Sequence, residues 1–504
     1  MPVFAAVDIG SNSVRLSIAE LRKGKLISLH QDREVTRLGE GVFRNGSLDP
    51  QAMARTLKVL RRFHRTVQSH AVDRVRVVAT SAMRDSDNSQ VFKEWVKSAT
   101  GWKVEVISGL DEGRLIHLGV VSNLRVRPAE LLLIDLGGGS CELTFASQGH
   151  IRDLVTLPLG AVRLTQEFIR HDPPSKEELK RLHEFIAEEA ARIPRTIRHA
   201  GVRVAIATSG TADALAGAAQ SLKLSSNEVT AAAAMTLAKR LAELPQKQRA
   251  IIKGINAKRA EIIVAGAAVY SHILNSCGLK GFRYSALGLR DGLLAQMAAE
   301  HDKSTRSHRQ LESDRQDVLL NIVRRYRVDL KNAEHVRELA LSFFDQSRSV
   351  HQLPKGFREW IAAAAMLYEV GNYINPVGRH RHTYYAIAHS ELFGFTPVQR
   401  QIIAIIARFQ GNSKPQLRDR LIKVLPAPLR ADVIKAIAIL RVARTLNQGR
   451  RAAVHAIQVR ARGGDITVGV RTGRAGADLE MWAAGKEVSY FKEVFGRELL
   501  FKLF

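Results

Sequence analysis

Short apolar, β-branched runs punctuate roughly the first 300 residues, at 5–7, 75–79, 104–107, 131–134 and 202–207. Stretches of helical periodicity, such as 51–67 and 175–199, lie between several of them. This alternation predicts an α/β fold. Two of the runs end alike. In FAAVDIGSNSVRLSIAE (4–20) and LLLIDLGGGSCELTF (131–145) an apolar run meets an aspartate, one apolar residue, glycine and then small polar residues. The repetition predicts a duplicated half whose second copy starts near residue 125, within SNLRVRPAE. The texture then changes. AEHDKSTRSHRQLESDRQ (299–316) is polar and reads as a linker or a solvated helix start. Residues 314–447 follow with helical periodicity and no strand alternation, and VHAIQVRARGGDITVGVRT (454–472) reads as a hairpin turning at Gly463–Gly464. A last helix is expected at 487–495, before an apolar end. The expected domains are 1–124, 125–305, 306–448 and 449–504.

Composition adds one strong constraint. The 504 residues carry 76 Lys plus Arg against 49 Asp plus Glu, a formal net charge of +27. A surface this basic attracts polyanions such as nucleic acid, anionic lipid or polyphosphate. The last 199 residues contribute +15, so the C-terminal part is the more basic per residue. No helix-turn-helix, zinc-finger or aromatic RNA-binding motif accompanies the charge, and no specific nucleic-acid partner is expected. No apolar run is long enough to span a bilayer. Asp8 interrupts the one apolar run at the N-terminus, no basic segment precedes it, and no signal peptide is expected. Two cysteines without metal-like spacing suggest a reducing compartment. The expected location is the cytoplasm, with peripheral membrane association as a variant.

The chemistry-bearing residues cluster at strand ends. Around Asp8, Gly10 lets backbone N–H groups approach an anion, Ser11, Asn12 and Ser13 add hydrogen-bond donors, and Arg15 adds charge. Asp135 with Gly137, Gly138, Gly139 and Ser140 repeats this design, and Glu142 follows on the returning strand. Carboxylates before and after such a turn can reach one hard cation. A glycine triplet is also a common tight turn, so each hairpin alone says little, whereas the pair is informative. In ISGLDEGRLI (107–116), Ser108 and Asp111 read as ordinary capping. Glu112 sits where a strand end opens onto a cleft, placed to accept a proton from water. In VVATSAMRDSDN (77–88), Arg84 reads as a phosphate clamp or as a surface salt bridge. In ATSGTADALAG (207–217), Gly210 reads equally as a phosphate contact at a helix N-terminus or as a capped helix.

Taken together, DIGSNSVRL, ATSAMRDSDN, ISGLDEGRLI, IDLGGGSCEL, LPLGAVRLTQEF, ATSGTADALAG and LGLRDGLL resemble the exopolyphosphatase / guanosine pentaphosphate phosphohydrolase family, over roughly residues 3–300. The resemblance implies two actin-like ATPase (ribonuclease H-like) lobes with a central cleft. It implies hydrolysis of a terminal phosphoanhydride with magnesium or another divalent cation, potassium being a further candidate. By position it makes Glu112 the residue that activates water. It puts Asp135 and Glu142 near the metal, and Asp8, at the equivalent place in the first hairpin, is a further metal candidate. It makes Gly10–Ser13, Arg84 and Gly137–Ser140 phosphate contacts, and Arg15 and Gly210 are expected to join them from their own chemistry.

The C-terminal half resembles the long family members, with an all-α domain related to HD metal phosphohydrolases and a small α+β end. Tyr368 and Gln410 stand where histidines are usual, and Arg444 and Asn447 where acids are frequent. This domain is therefore read as a basic binding and dimerising module, with Arg379, His380, Arg381 and His382 as a polyphosphate groove. The expected function is an exopolyphosphatase acting on inorganic polyphosphate as a homodimer. A guanosine pentaphosphate 5′-phosphatase is the enzymatic alternative. A sensor that binds polyphosphate or guanosine penta- or tetraphosphate with little turnover is the non-enzymatic one.

Overall fold

The run that ends in Asp8 forms strand β1 (Val3–Ile9), which pairs antiparallel with β2 (Ser13–Arg22), itself antiparallel to β3 (Lys25–Val35). Strands β4 (Arg74–Ala79) and β5 (Val104–Val106) extend the sheet in parallel from β1, in the order β3-β2-β1-β4-β5. The second copy repeats the plan with β6 (Glu130–Leu136), β7 (Cys141–Ser147) and β8 (His150–Leu157) as the antiparallel meander. Strand β9 (Val204–Thr208) is parallel to β6. Short β10 (Val229–Thr230) and β11 (Gly281–Tyr284) complete the order β10-β11-β9-β6-β7-β8. Two meanders, each continued by parallel strands, give the two-lobed actin-like ATPase architecture. The structure, a computed structural model, describes residues 1–124, 128–390, 392–462, 465–473 and 476–503, so the expected lobe junction near 125 falls partly outside the described residues.

The equivalence of the lobes extends to burial. In β1 and β6 alike, four consecutive apolar residues are buried and the following aspartate is partly exposed. Continuous apolar runs suit strands covered on both faces. Helix α1 (Pro50–Ser69), started by the Asp49 cap, covers one face of the first sheet through Leu57, Leu60 and Phe63. The face between the lobes is filled by α2 (Gly109–Asn123) and, after α3 (Ser209–Ser221) of the second lobe, by α4 (Leu289–His301). These two cross at glycines. A Cβ on Gly292 would overlap the carbonyl oxygen of Leu115, and one on Gly119 would lie 2.6 Å from the Gly292 nitrogen. This close crossing sets the first turn of α2, with Glu112, and the first turn of α4, with Arg290 and Asp291, on one rigid frame.

The helix expected at 175–199 is shorter. It runs Lys176–Ala191 and stops before Pro194, whose ring cannot sit inside a helix. The chain divides into two compact units, Met1–Ser313 and Asp314–Phe504. The polar stretch at 299–316 is largely helical, because helix Arg306–Arg325 begins within it and the division falls inside that helix.

The second unit is mainly helical, and three of its helices matter below: α5 (Arg379–Ala388), α6 (Pro397–Arg408) and α7 (Arg430–Thr445). A three-stranded sheet closes it, with β12 (Val454–Arg462) antiparallel to β13 (Asp465–Thr472), and β14 (Glu498–Leu503) parallel to β13. The turn expected at Gly463–Gly464 lies outside the described residues. The expected last helix is Val488–Phe495, and the apolar end after it is the strand β14. Phe343, Ile402 and Ile437 of the helices share one continuous core with Val459, Val468 and Leu499 of the sheet. Among the described residues no helix is long and apolar enough to cross a membrane.

Candidate active site

The two aspartate-glycine hairpins have the same turn. Gly10 N–H donates to the Ser13 carbonyl at 3.1 Å, and Gly137 N–H to the Ser140 carbonyl at 2.9 Å. Cross-strand register pairs Asp8 with Arg15 in one lobe and Asp135 with Glu142 in the other. The hairpins meet. A Cβ on Gly138 would lie 2.9 Å from Ser11 Cβ, and one on Gly139 would overlap Ser81 and Phe43. Ser11 and Ser81 hydroxyls are themselves 2.9 Å apart. None of the three consecutive glycines has a positive φ, so close packing of the loops, not left-handed backbone, excludes side chains here.

Capping fixes the start of α2 as expected. Ser108 Oγ accepts from Asp111 N–H at 3.0 Å and donates to the Asp111 carboxylate. One residue further, Glu112 turns inward and is only 7% exposed. One carboxylate oxygen from each of Glu112, Asp135 and Glu142 lies within 4.8 Å of the others, the one metal-competent trio among the described residues. Thr208 donates to Asp135, and Thr156 Oγ1 donates to Glu142 at 2.8 Å. Burial, reinforced by Glu142 and Asp135, pushes the Glu112 carboxyl well above the usual carboxylate range. Burial and Asp135 raise Glu142 to about 8, with Ser140 and Thr156 hydroxyls opposing the rise. Asp8 and Asp135 are also raised by burial.

Glu112 Oε2 and Asp8 Oδ1 are buried without a hydrogen-bond partner. Such oxygens are costly unless they neutralise or meet a cation. A hard divalent cation therefore fits this oxygen-only donor set of Glu112, Asp135 and Glu142.

A cavity of ≈ 270 Å³ opens beside the carboxylates. Asp8, Glu112 and Asp135 line it together with four arginines, Arg15, Arg33, Arg259 and Arg290. Burial lowers the Arg259 pKa to about 10, with Arg33 and Arg15 adding to the effect, and lowers those of Arg33 and Arg290 in the same way. Four guanidinium groups that repel one another in a recess make a receptor for a multiply charged anion. Gly210 gives Arg259 its place, since a Cβ there would overlap that guanidinium and come within 3.4 Å of Arg33 Nη2.

Of the residues singled out from sequence, Gly10, Ser11, Asn12, Ser13, Arg15, Gly137, Gly138 and Gly210 line the cavity. Gly139, Ser140 and Glu142 stand behind it, Gly139 as a packing site and Ser140 as a support for Glu142. Arg84 also lies outside the lining. Its Nη1 donates to the Ile107 carbonyl at 2.9 Å and sits 3.9 Å from Glu112 Oε2. No sequence pattern marks Arg33, Arg259 or Arg290 as site residues, although Arg290 lies within LGLRDGLL.

In the second unit, Arg379, His380 and Arg381 line a cavity of ≈ 580 Å³, and His382 does not. Tyr368, Gln410, Arg444 and Asn447, the four positions compared above with an HD metal pattern, all line one adjoining cavity of ≈ 300 Å³.

Residues 17–301 match the model of the Ppx/GppA phosphatase family, and residues 314–469 match its domain III. The chain belongs to the Ppx/GppA phosphatase family. Solved structures of Ppx/GppA proteins agree. The family member from Aquifex aeolicus is 30% identical over 60% of this chain and 99% of its own, with a TM-score of 0.51. An exopolyphosphatase from Cytophaga hutchinsonii is 26% identical over 60% of this chain and 99% of its own, with a TM-score of 0.55. As a Ppx/GppA protein the chain is an enzyme, a hydrolase of phosphoanhydrides.

Proposed function

We propose that this Ppx/GppA hydrolase is a cytoplasmic exopolyphosphatase that removes the terminal phosphate of inorganic polyphosphate as orthophosphate. The observation that carries the reading is Glu112, buried with an unpartnered oxygen at the wall of a cavity that also holds four arginines. The hairpin loops at Gly10–Ser13 and Gly137–Gly138, through amides other than the turn-bonded ones of Gly10 and Gly137, and the arginines bind and orient the terminal phosphates. Positioning and charge neutralisation are most of what phosphoryl transfer requires. Magnesium held by Asp135 and Glu142, with Asp8 nearby, would neutralise phosphoryl charge and favour the ionised form of the surrounding carboxylates. Ionised Glu112, steadied by Arg84, takes a proton from the attacking water. Arg379, His380, Arg381 and His382 of the second unit, an HD-related and dimerising module in this reading, hold the remainder of a long anionic chain.

One observation favours a nucleotide substrate. Tyr284 lines the cavity and is 38% exposed, a ring on which a guanine base could stack. Phosphate release with magnesium, measured side by side on long-chain polyphosphate and guanosine pentaphosphate, separates the two. Faster release from polyphosphate supports the main reading. The reverse makes the chain a guanosine pentaphosphate 5′-phosphatase, and silence on both with retained binding makes it a sensor.

A further inference from the structure

The second unit contains an unusual accumulation of uncompensated positive charge. Its two adjoining cavities, ≈ 300 and ≈ 580 Å³, share Arg379, His380, Gln410, Arg444 and Gln448. The carboxylates in their walls are already committed. Glu369 pairs with Arg450, and Glu487 takes a bidentate pair from Arg441 at 2.7 and 2.8 Å. Arg379, Arg381, Arg408, Arg444 and Lys486 are left without a carboxylate partner among the described residues. Like charges around a recess are unfavourable unless an anion enters it.

Three buried polar atoms in these walls have no partner: Arg444 Nε, His380 Nδ1 and Gln410 Oε1. Gln410 is 1% exposed, its amide nitrogen already bonded to the Ile406 carbonyl at 2.8 Å. Arg379 Nε donates to His380 Nε2 at 3.4 Å, which leaves the hydrogen of the neutral ring on Nδ1. His380 is kept neutral in this state, since burial and the surrounding arginines bring its pKa down to about 4. Two unpartnered donors and one unpartnered acceptor suit the oxygens and the hydroxyl of a hydrogen phosphate group. Metal binding is disfavoured at the same place, because Arg444, Gln410, Asn447 and Tyr368 supply a cation, two amides and a phenol.

We propose that the second unit carries a non-catalytic site for a phosphate-bearing anion, centred on Arg444, His380 and Gln410. The combined volume suits a ligand with more than one phosphate group. The site shares Arg379 and His380 with the groove proposed to hold a phosphate chain and deepens that part of the proposed function, but it does not depend on hydrolysis in the cleft.

Titration calorimetry of the full chain in EDTA, with inorganic triphosphate as the probe, tests it. Binding should persist in an Arg33→Gln/Arg259→Gln variant, whose cleft is impaired. It should weaken about tenfold or more in Arg444→Gln, the loss expected for one charge-assisted hydrogen bond. Arg379→Glu, a change at an exposed position, should weaken it as well and guards against misfolding of the Arg444 variant. No binding by the wild type, or full binding by both second-unit variants, overturns the proposal. So does displacement by chloride at equal ionic strength. Competition with orthophosphate and with guanosine diphosphate then names the source, the reaction product or a nucleotide, and displacement by either supports the site. Absence of phosphate release in the magnesium assay would sink the hydrolytic reading and leave this result standing.

Discussion

Glu112 can accept a proton only when ionised, and its surroundings oppose ionisation until a cation joins the carboxylates. Replacing it with glutamine keeps the shape and removes the base. Glu112→Gln should lower turnover about 10²- to 10⁴-fold, the usual contribution of a positioned base, while polyphosphate binding stays near normal. Equal loss of binding and turnover would assign Glu112 to the substrate instead. Glu142 gives a stability signature for the same cluster. Its folded pKa of about 8 lies above the unfolded value of 4.5, so the metal-free fold prefers the protonated form. That preference is fully present below about pH 4.5 and disappears as pH rises through about 8. The melting temperature of the chelated protein should therefore fall across this window, magnesium should reduce the fall, and Glu142→Gln should flatten it. An identical slope in wild type and variant would remove Glu142 from the effect. At this scale the sequence is an uneven guide. Asp8 and Asp135 are legible because a charge at the end of an apolar strand breaks a strict pattern, twice. Arg33 and Arg259 are not, because among 76 basic residues a single arginine has no pattern to break.

Elements carry these residues to one place, and the glycine crossing of α2 with α4 is where that placement is most sensitive. Gly292→Ala would drive a methyl group into the Leu115 carbonyl, between the helix bearing Glu112 and the helix bearing Arg290. Overpacking of this kind costs about 1–3 kcal/mol, and urea unfolding should show it together with a drop in turnover. Gly485→Ala, with nothing within 4 Å of the added Cβ and no positive φ, is the control and should change stability by less than about 0.5 kcal/mol. If the two variants behave alike, the crossing is not what holds the frame. The strand-like runs, the repeated hairpin and the Ser108 cap follow from periodicity and local chemistry, which sequence displays directly, whereas the order of the strands in each sheet does not. The crossing does not. Gly119 and Gly292 are 173 positions apart and look like ordinary helix glycines until the two helices are brought together. The same limit hid the reason for Gly139, whose neighbours Ser81 and Phe43 come from the other lobe.

At the scale of the whole molecule, the charge of +27 is distributed over both units and is not spent on one site. The cleft arginines meet the end of an anionic chain, so they act on every substrate length. Arg379 and Arg381 belong to the second unit, and in the proposed function they meet only chains long enough to reach them. Their effect should therefore depend on substrate length, which charge attraction in general would not produce. The double reversal Arg379→Glu/Arg381→Glu should lower kcat/KM on long-chain polyphosphate by about tenfold or more, each lost charged contact being worth roughly 1.5–3 kcal/mol at most. Triphosphate hydrolysis should suffer much less. Long-range attraction is screened by salt over about 10 Å at 0.1 M, so the length-dependent part should also shrink as ionic strength rises. Initial rates on triphosphate and on long chains, at low and high salt, measure both effects together. If all lengths lose activity in proportion, the reversal has merely weakened the general field, and the second unit has no hand in holding the chain.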